Sequence, residues 1–458
     1  MSSRRFSPPS YFLAALVGLL SLVPGVRAGL EEYVNRPEPA FSWKLRDKKE
    51  TEQGTIDDLH LVSQTWQNIT WKHQLQVYRP KGVEPNAKMM LWNTGGTAND
   101  RNIALGMELA RKARVPCAFL YGVPNQPLLG DKKEDGLIAL SFVLYLNTRD
   151  ENWPLLFPMV KSVVKAMDAL QAFSKQEWKR PVEKFIVAGG SKRGWTSWLT
   201  AAADDRVAAI APCVIDTLNM PVQMPHQLKS FGKYSVMIQD YTNTGLVPMP
   251  TTPEAKRLWS MVDPYAYRDK LKMPKFIVNG NNDPYWATDA LNLYWDDLKG
   301  DKWVLYVPNA GHNLEQRLKG GAKDRSRAVN GIAAFARHQV TGKTMPHLEW
   351  RHTTDGDKLR LSVEPSVAPL AARLWVATSD NRDFRDARWQ EKPAATEKVI
   401  ATPANGDGAA VAKDRIIGEV AAPKEGCLAF FAELDYEIDG IRYQLSTQLR
   451  LAGKPLDK

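Results

Sequence analysis

At 458 residues, 44% hydrophobic and 24% charged, the chain has material for a large buried core and length enough for two domains. It shows no collagen period, long single-sign charge block or low-complexity tract, which excludes a fibrous or largely disordered protein. The net charge of +10 is scattered, with no arginine-rich strip interleaved with aromatics, so no nucleic-acid partner is expected.

In chain order, Arg4 and Arg5 precede the apolar run Tyr11 to Leu20, and Val26-Arg27-Ala28 follows. A charged start, a short apolar middle and a small-residue end describe a secretory signal peptide over residues 1–28. The run is shorter than the roughly 20 residues of a membrane span. The expectation is therefore an exported, periplasmic or secreted chain that starts at Gly29 and keeps no stable membrane anchor. Cleavage would remove Arg4, Arg5 and Arg27 and no acid, lowering the charge from +10 to +7.

Residues 29–75 read as a polar lead-in with aromatic punctuation. Strand-like and helix-like segments then alternate: strands at Met89–Trp92, Val115–Leu120, Val182–Ala188 and Val207–Ile215, helices at Ile103–Ala113, Leu155–Phe173 and Trp195–Ala203. That alternation predicts a parallel sheet covered by helices on both faces. Residues 217–273 break the rhythm with prolines at 221, 225, 248, 250, 253 and 264, and read as a cap or lid inserted between two strands. The pattern resumes with strands at Lys275–Asn279 and Trp303–Val307 and a helix at Asp324–His338. From 346 to 458, alternating segments such as "ARLWVATS" and "CLAFFAELDY" predict a small antiparallel β-sandwich domain. Cys117, Cys213 and Cys427 form no CxxC or His/Cys cluster, so no metal, and no cofactor, is expected.

The chemistry concentrates in "VAGGSKRGWTSWL", residues 187–199. A glycine-rich corner carrying Ser191 between a strand and a helix is either a close-packed junction or a nucleophile elbow. A serine hydroxyl needs a base, and the base an orienting acid. Asp283 in "FIVNGNNDPYW" and His312 in "VLYVPNAGHNL" each follow a strand, giving the chain order Ser, Asp, His used by α/β-hydrolases. Asp289 is a second candidate acid, although its place near a helix start explains it equally well. For an oxyanion, the sequence offers the Lys192 N–H together with the turn bearing Gly95 and Gly96 in "LWNTGGT".

Taken together, "GGSKRGWTSWLTAAADDRVAAIAPCVID", "DPYAYRDKLKMPKFIVNGNNDPYW" and "YVPNAGHNL" resemble the PhoPQ-activated pathogenicity-related proteins. That resemblance covers nearly the whole mature chain. It implies an exported α/β-hydrolase fold with a C-terminal β-domain, but no defined reaction. One departure from the general hydrolase pattern stands out. Arg193 occupies the place of the usual second glycine, which comes one residue later as Gly194. The GxSxxG elbow with a following cation is similar to that of glucuronoyl esterases. By that analogy Lys192 would meet an ester near an acidic sugar, and Arg193 and Trp195 are further candidates for substrate binding; the bland alternative for Lys192 and Arg193 is surface charge. Two readings follow: a serine hydrolase acting on a small-molecule, glycan or peptide substrate of envelope or extracellular material, or a non-catalytic glycan- or protein-binding module on a hydrolase fold.

Overall fold

The computed structural model describes residues 29–318, 320–401 and 411–455. The expected signal peptide falls on residues 1–28, outside the described residues. What the sequence presents as a polar lead-in is instead structured. Helix α1 (Leu30–Asn35) is followed by strands β1 (Ser42–Glu50), β2 (Gly54–Trp66) and β3 (Ile69–Pro80). Strands β2 and β3 form a long hairpin whose last paired residues are Trp66 and Ile69. Gln67 and Asn68 turn it with φ of 49° and 62°, the left-handed pair that matches strand twist in a two-residue loop. Polar residues dominate the outward side of this sheet end, which is why the stretch reads as loop.

The central layer continues with β4 (Lys88–Asn93), α2 (Asp100–Ala113), β5 (Cys117–Leu120), α3 (Glu134–Thr148), α4 (Leu156–Glu177), β6 (Lys184–Gly190), α5 (Lys192–Ala203) and β7 (Val207–Cys213). Helix α3 carries no signal recognised in the sequence. Residues 217–273 then supply α6 (Met220–Phe231), α7 (Gln239–Thr242) and α8 (Pro253–Val262), before β8 (Lys275–Gly280) and β9 (Lys302–Val307). A short ribbon, β10 (Gln316–Arg317) with β11 (Lys323–Asp324), leads to α9 (Ser326–Thr341).

Strands β5, β4, β6, β7, β8 and β9 lie side by side in that order, all parallel. The antiparallel β3 borders β5. This is the α/β-hydrolase order. Helices α3, α4 and α5 cover one face, and α2 and α9 the other, so the middle strands are buried on both sides and read as continuous apolar runs. Because the strands are parallel, the loops after β4, β6, β8 and β9 emerge at one edge of the sheet, where ligands of such sheets bind.

The C-terminal strands are β12 (Leu348–Asp355), β13 (Lys358–Pro365), β14 (Ala371–Ser379), β15 (Gln390–Pro393), β16 (Ala395–Ala401), β17 (Val411–Ala421), β18 (Cys427–Ile438), β19 (Ile441–Ser446) and β20 (Arg450–Gly453). They are antiparallel, as the alternation predicts, and form two layers. One layer is β12-β13-β17-β16; the other, β19-β18-β14-β15 with β20 on β18, is continuous with the central sheet. Ser446 of β19 pairs with Val304 of β9, and the Tyr306 N–H donates to Ser446 Oγ at 3.1 Å. An edge strand of the hydrolase sheet is thereby covered rather than left with open hydrogen-bonding groups. Sequence periodicity could reveal the strands but not this union.

Candidate active site

Ser191 stands between β6 and α5 with φ 57° and ψ −131°. A non-glycine residue held there is strained by about 1–3 kcal/mol, and the surrounding contacts hold it. Its N–H donates to Cys213 O at 2.9 Å, and its carbonyl accepts from the Trp195 N–H at 3.0 Å. The spacing of the second glycine has a steric reason: a Cβ on Gly194 would lie 2.6 Å from Ile215 Cγ2 and 2.9 Å from Gly189 O. The glycine is needed where α5 presses on the neighbouring strand, and in this chain that is residue 194.

Arg193, expected beside the substrate, is committed to partners inside the protein. It is 8% exposed. Its Nη atoms form a two-point fork on Glu134, at 2.6 and 2.8 Å, and its Nε donates to Val123 O at 2.6 Å. Lys192 is equally engaged, its Nζ lying 3.0 Å from Glu134 and 3.1 Å from Asp135. Burial pushes the Glu134 carboxyl up. The Arg193 fork and the Lys192 charge outweigh that and hold it far below the ordinary range. Two cations in the first turn of α5 oppose the helix dipole, and the two carboxylates from the start of α3 offset them. The misfit visible in the sequence is thus met by an internal ion cluster, in which Lys192 is already paired with two carboxylates.

The turn after β4 is held against this corner. Asn93 Nδ2 donates to Ala188 O and Ser197 Oγ, each at 2.9 Å. Gly95 lies against the Arg193 guanidinium so closely that a Cβ would collide with it. Gly96, at φ 65°, follows. This places the Gly95-Gly96 turn beside the start of α5, where the first-turn N–H of Lys192 has no acceptor within the helix.

His312 Nδ1 lies 2.8 Å from Asp283 Oδ2, and Asp283 Oδ1 accepts the Tyr285 N–H at 2.9 Å. Asp283 is 6% exposed. The Tyr285 ring lies against the imidazole, tilted by 31°, with centroids 4.2 Å apart. Asp289 is committed elsewhere: Oδ1 lies 2.7 Å from His226 Nε2 of α6 and Oδ2 3.3 Å from Arg382 Nη2. Asp289 does stand at the start of a short helical turn, Ala290–Leu293, as expected, and its side chain in addition links lid and C-terminal region.

Ser191 and Lys192 open onto an apolar pocket whose walls include Trp195, Met220, Met224, Tyr241, Trp259 and Tyr285. Four of these, Met220, Met224, Tyr241 and Trp259, come from the proline-rich 217–273 segment. Trp195 lines the pocket while its Nε1 donates to Val262 O at 2.6 Å, tying elbow helix to insertion. Tyr241 Oη donates to Asp135 at 3.1 Å, tying the insertion to the ion cluster.

One acid here was not singled out from the sequence. Asp216 follows β7, is 4% exposed and accepts from Tyr294 Oη at 2.5 Å. It shares a small cavity with Asn279, Asp283, Trp286 and Tyr306. Burial pushes its carboxyl up to about 7, the Tyr294 hydrogen bond opposes this, and the charges of Asp283 and Asp289 add to it. An acid directly after a strand, in "CVIDT", is the signal that could have found it.

The model of the PhoPQ-activated pathogenicity-related protein family matches residues 30–385. Autocrine proliferation repressor protein A of Dictyostelium discoideum is 31% identical over 447 residues, covering 91% of this chain and 88% of its own. The chain belongs to the PhoPQ-activated pathogenicity-related family. Among solved structures it is similar to acetyl xylan esterase 1 from Thermoanaerobacterium (14% identity, TM-score 0.45, 62% of this chain and 88% of that one). It is also similar to the glucuronoyl esterase from Solibacter usitatus (10% identity, TM-score 0.39, 66% and 87%). The PhoPQ-related match ends inside a segment, residues 380–389, that braces the acid loop. Asn282 Nδ2 donates to the carbonyls of Phe384, Arg385 and Ala387 at 2.7–3.1 Å. In this PhoPQ-related protein the C-terminal region therefore fixes the residue preceding Asp283.

Proposed function

We propose that the protein is an exported serine hydrolase, a carboxylic-ester hydrolase first and an amidase or peptidase second, acting on envelope or extracellular material. The observation that carries this is the 2.8 Å Asp283–His312 contact at the sheet edge where Ser191 is held on a strained elbow. In the proposed reaction, Asp283 accepts from His312 Nδ1–H and so fixes the tautomer, leaving Nε2 as the base. Ser191 Oγ attacks the ester carbonyl while its proton passes to Nε2. The N–H of Lys192 and the Gly95-Gly96 turn receive the oxyanion. Collapse expels the alcohol, which takes the proton from His312. Water then attacks the acyl-serine, delivering its proton through the same imidazole and releasing the acid.

A second reading, a secreted signal protein that keeps the fold without the chemistry, draws on the name of the Dictyostelium relative. A fluorophosphonate probe separates the two. Stoichiometric labelling of wild type that is lost in Ser191→Ala supports the hydrolase, and absence of labelling in folded wild type refutes it.

A further inference from the structure

The lid holds a second apolar hollow that the proposed chemistry does not use. It lies beside Pro221 and Pro225 of α6 and the turn Pro248-Met249-Pro250, and has a volume of ≈ 610 Å³ against ≈ 40 Å³ for the pocket at Ser191. The two share Met224 and Trp259 as a common wall. Met224 is an unbranched side chain with several rotatable bonds. Trp259 Nε1 has no hydrogen-bond partner among the described residues. Rotation of Met224 about those bonds would open its part of the wall, while Trp259 is packed edge-on against Phe142.

The chemistry of the hollow selects its occupant. Four of its lining residues are prolines, which offer no N–H to a peptide or sugar. The Asp263 carboxylate beneath it is already occupied by the N–H groups of Asn219, Met220 and Tyr265. Lys256 stands exposed at the rim. The inner pocket is too tight to take more than the first carbons of an acyl group, and the shared wall leads from it into a neighbouring apolar space.

We propose that pocket and groove form one acyl channel gated by Met224 beside the fixed Trp259, and that the substrate is an ester of a long, unbranched, uncharged acyl chain. Its carboxyl end would lie at Ser191 and its tail among the prolines. The reaction part rests on the serine-hydrolase reading; the binding part does not, which makes the two separable.

Calorimetric titration of Ser191→Ala with dodecanoate and with butyrate tests binding alone. Dodecanoate should bind about tenfold tighter for every two methylenes that enter the channel, and Met249→Glu in the same background should remove that advantage. In otherwise wild-type protein, Met249→Glu should lower the dodecanoyl-to-butyryl ratio of kcat/KM on nitrophenyl esters by at least about tenfold. If Met249→Glu fails to melt cooperatively, Pro250→Asp serves instead. Equal binding of the two acids, or a chain-length advantage untouched by either groove variant, overturns the channel. Tight dodecanoate binding with no hydrolysis of any ester leaves the channel standing and overturns the hydrolase reading.

Discussion

Replacing Asp283 by asparagine should abolish nearly all turnover while leaving the fold intact, and the geometry explains why. Asp283 uses one oxygen for His312 Nδ1 at 2.8 Å and the other for the Tyr285 N–H at 2.9 Å. An amide has only one acceptor oxygen. If that oxygen keeps the Tyr285 N–H, the NH2 group faces Nδ1, which must then be deprotonated, and the proton moves to Nε2 where the base is needed. If the amide flips, its NH2 confronts the Tyr285 N–H and a buried donor is left unpaired. The first arrangement costs less, so the wrong tautomer prevails, at about four orders of magnitude in kcat, or roughly 5.5 kcal/mol of barrier. Asp289→Asn instead loosens the His226 and Arg382 contacts at the lid, and should keep kcat within about tenfold while lowering stability by about 1 kcal/mol. The assay is kcat for both variants on a short nitrophenyl ester, with urea unfolding as the control for folding. If Asp289→Asn lost turnover by orders of magnitude while Asp283→Asn kept it, the assignment of the acid would be refuted.

Ser191→Ala and His312→Ala should each remove esterase activity, and the double variant should be little worse than either, since members of such a set act as a unit; additive losses in kcat/KM would contradict this. Arg193→Ala should destabilise the protein by about 2 kcal/mol, less than the roughly 3–5 kcal/mol of a broken, fully buried pair because Glu134 keeps Lys192 and is partly exposed. Arg193→Lys should recover only part, lacking the fork, as read from urea midpoints. Asp216 bears on pH: its carboxyl titrates at about 7 when folded against an ordinary 3.8. Between those values the folded state holds a proton that the unfolded state has lost, so this group's contribution to stability declines as pH rises from about 4 to about 7. Asp216→Asn should accordingly gain in melting temperature relative to wild type on going from pH 4 to pH 7.5; a constant difference would contradict the raised pKa.

The legible parts of this protein are those set by neighbours in the chain. Gly189, Ser191 and Gly194 mark an elbow because a sharp strand-to-helix turn restricts nearby residues. Asp283 and His312 are noticeable because each follows a buried apolar strand. The β2–β3 hairpin was missed for a physical reason too: at a sheet end with a solvated outer side, alternating polar residues resemble loop.

What the sequence by itself determined is the alternation of parallel strands and helices from β4 onward, α3 excepted, with the elbow and the candidate base, since backbone preferences and apolar periodicity are local properties. Only the tertiary structure decided what each charged group meets. Lys192 and Arg193 lie far along the chain from Glu134 and Asp135, yet share one cluster with them. Asp283 and Asp289 differ little in local sequence, but one reaches His312 and the other His226. Asp216 is raised because burial and two neighbouring carboxylates act on it at once. Charge interactions depend on distance through space and on the solvent excluded around them, and both are fixed only when the sheet, the lid and the C-terminal strands have packed together.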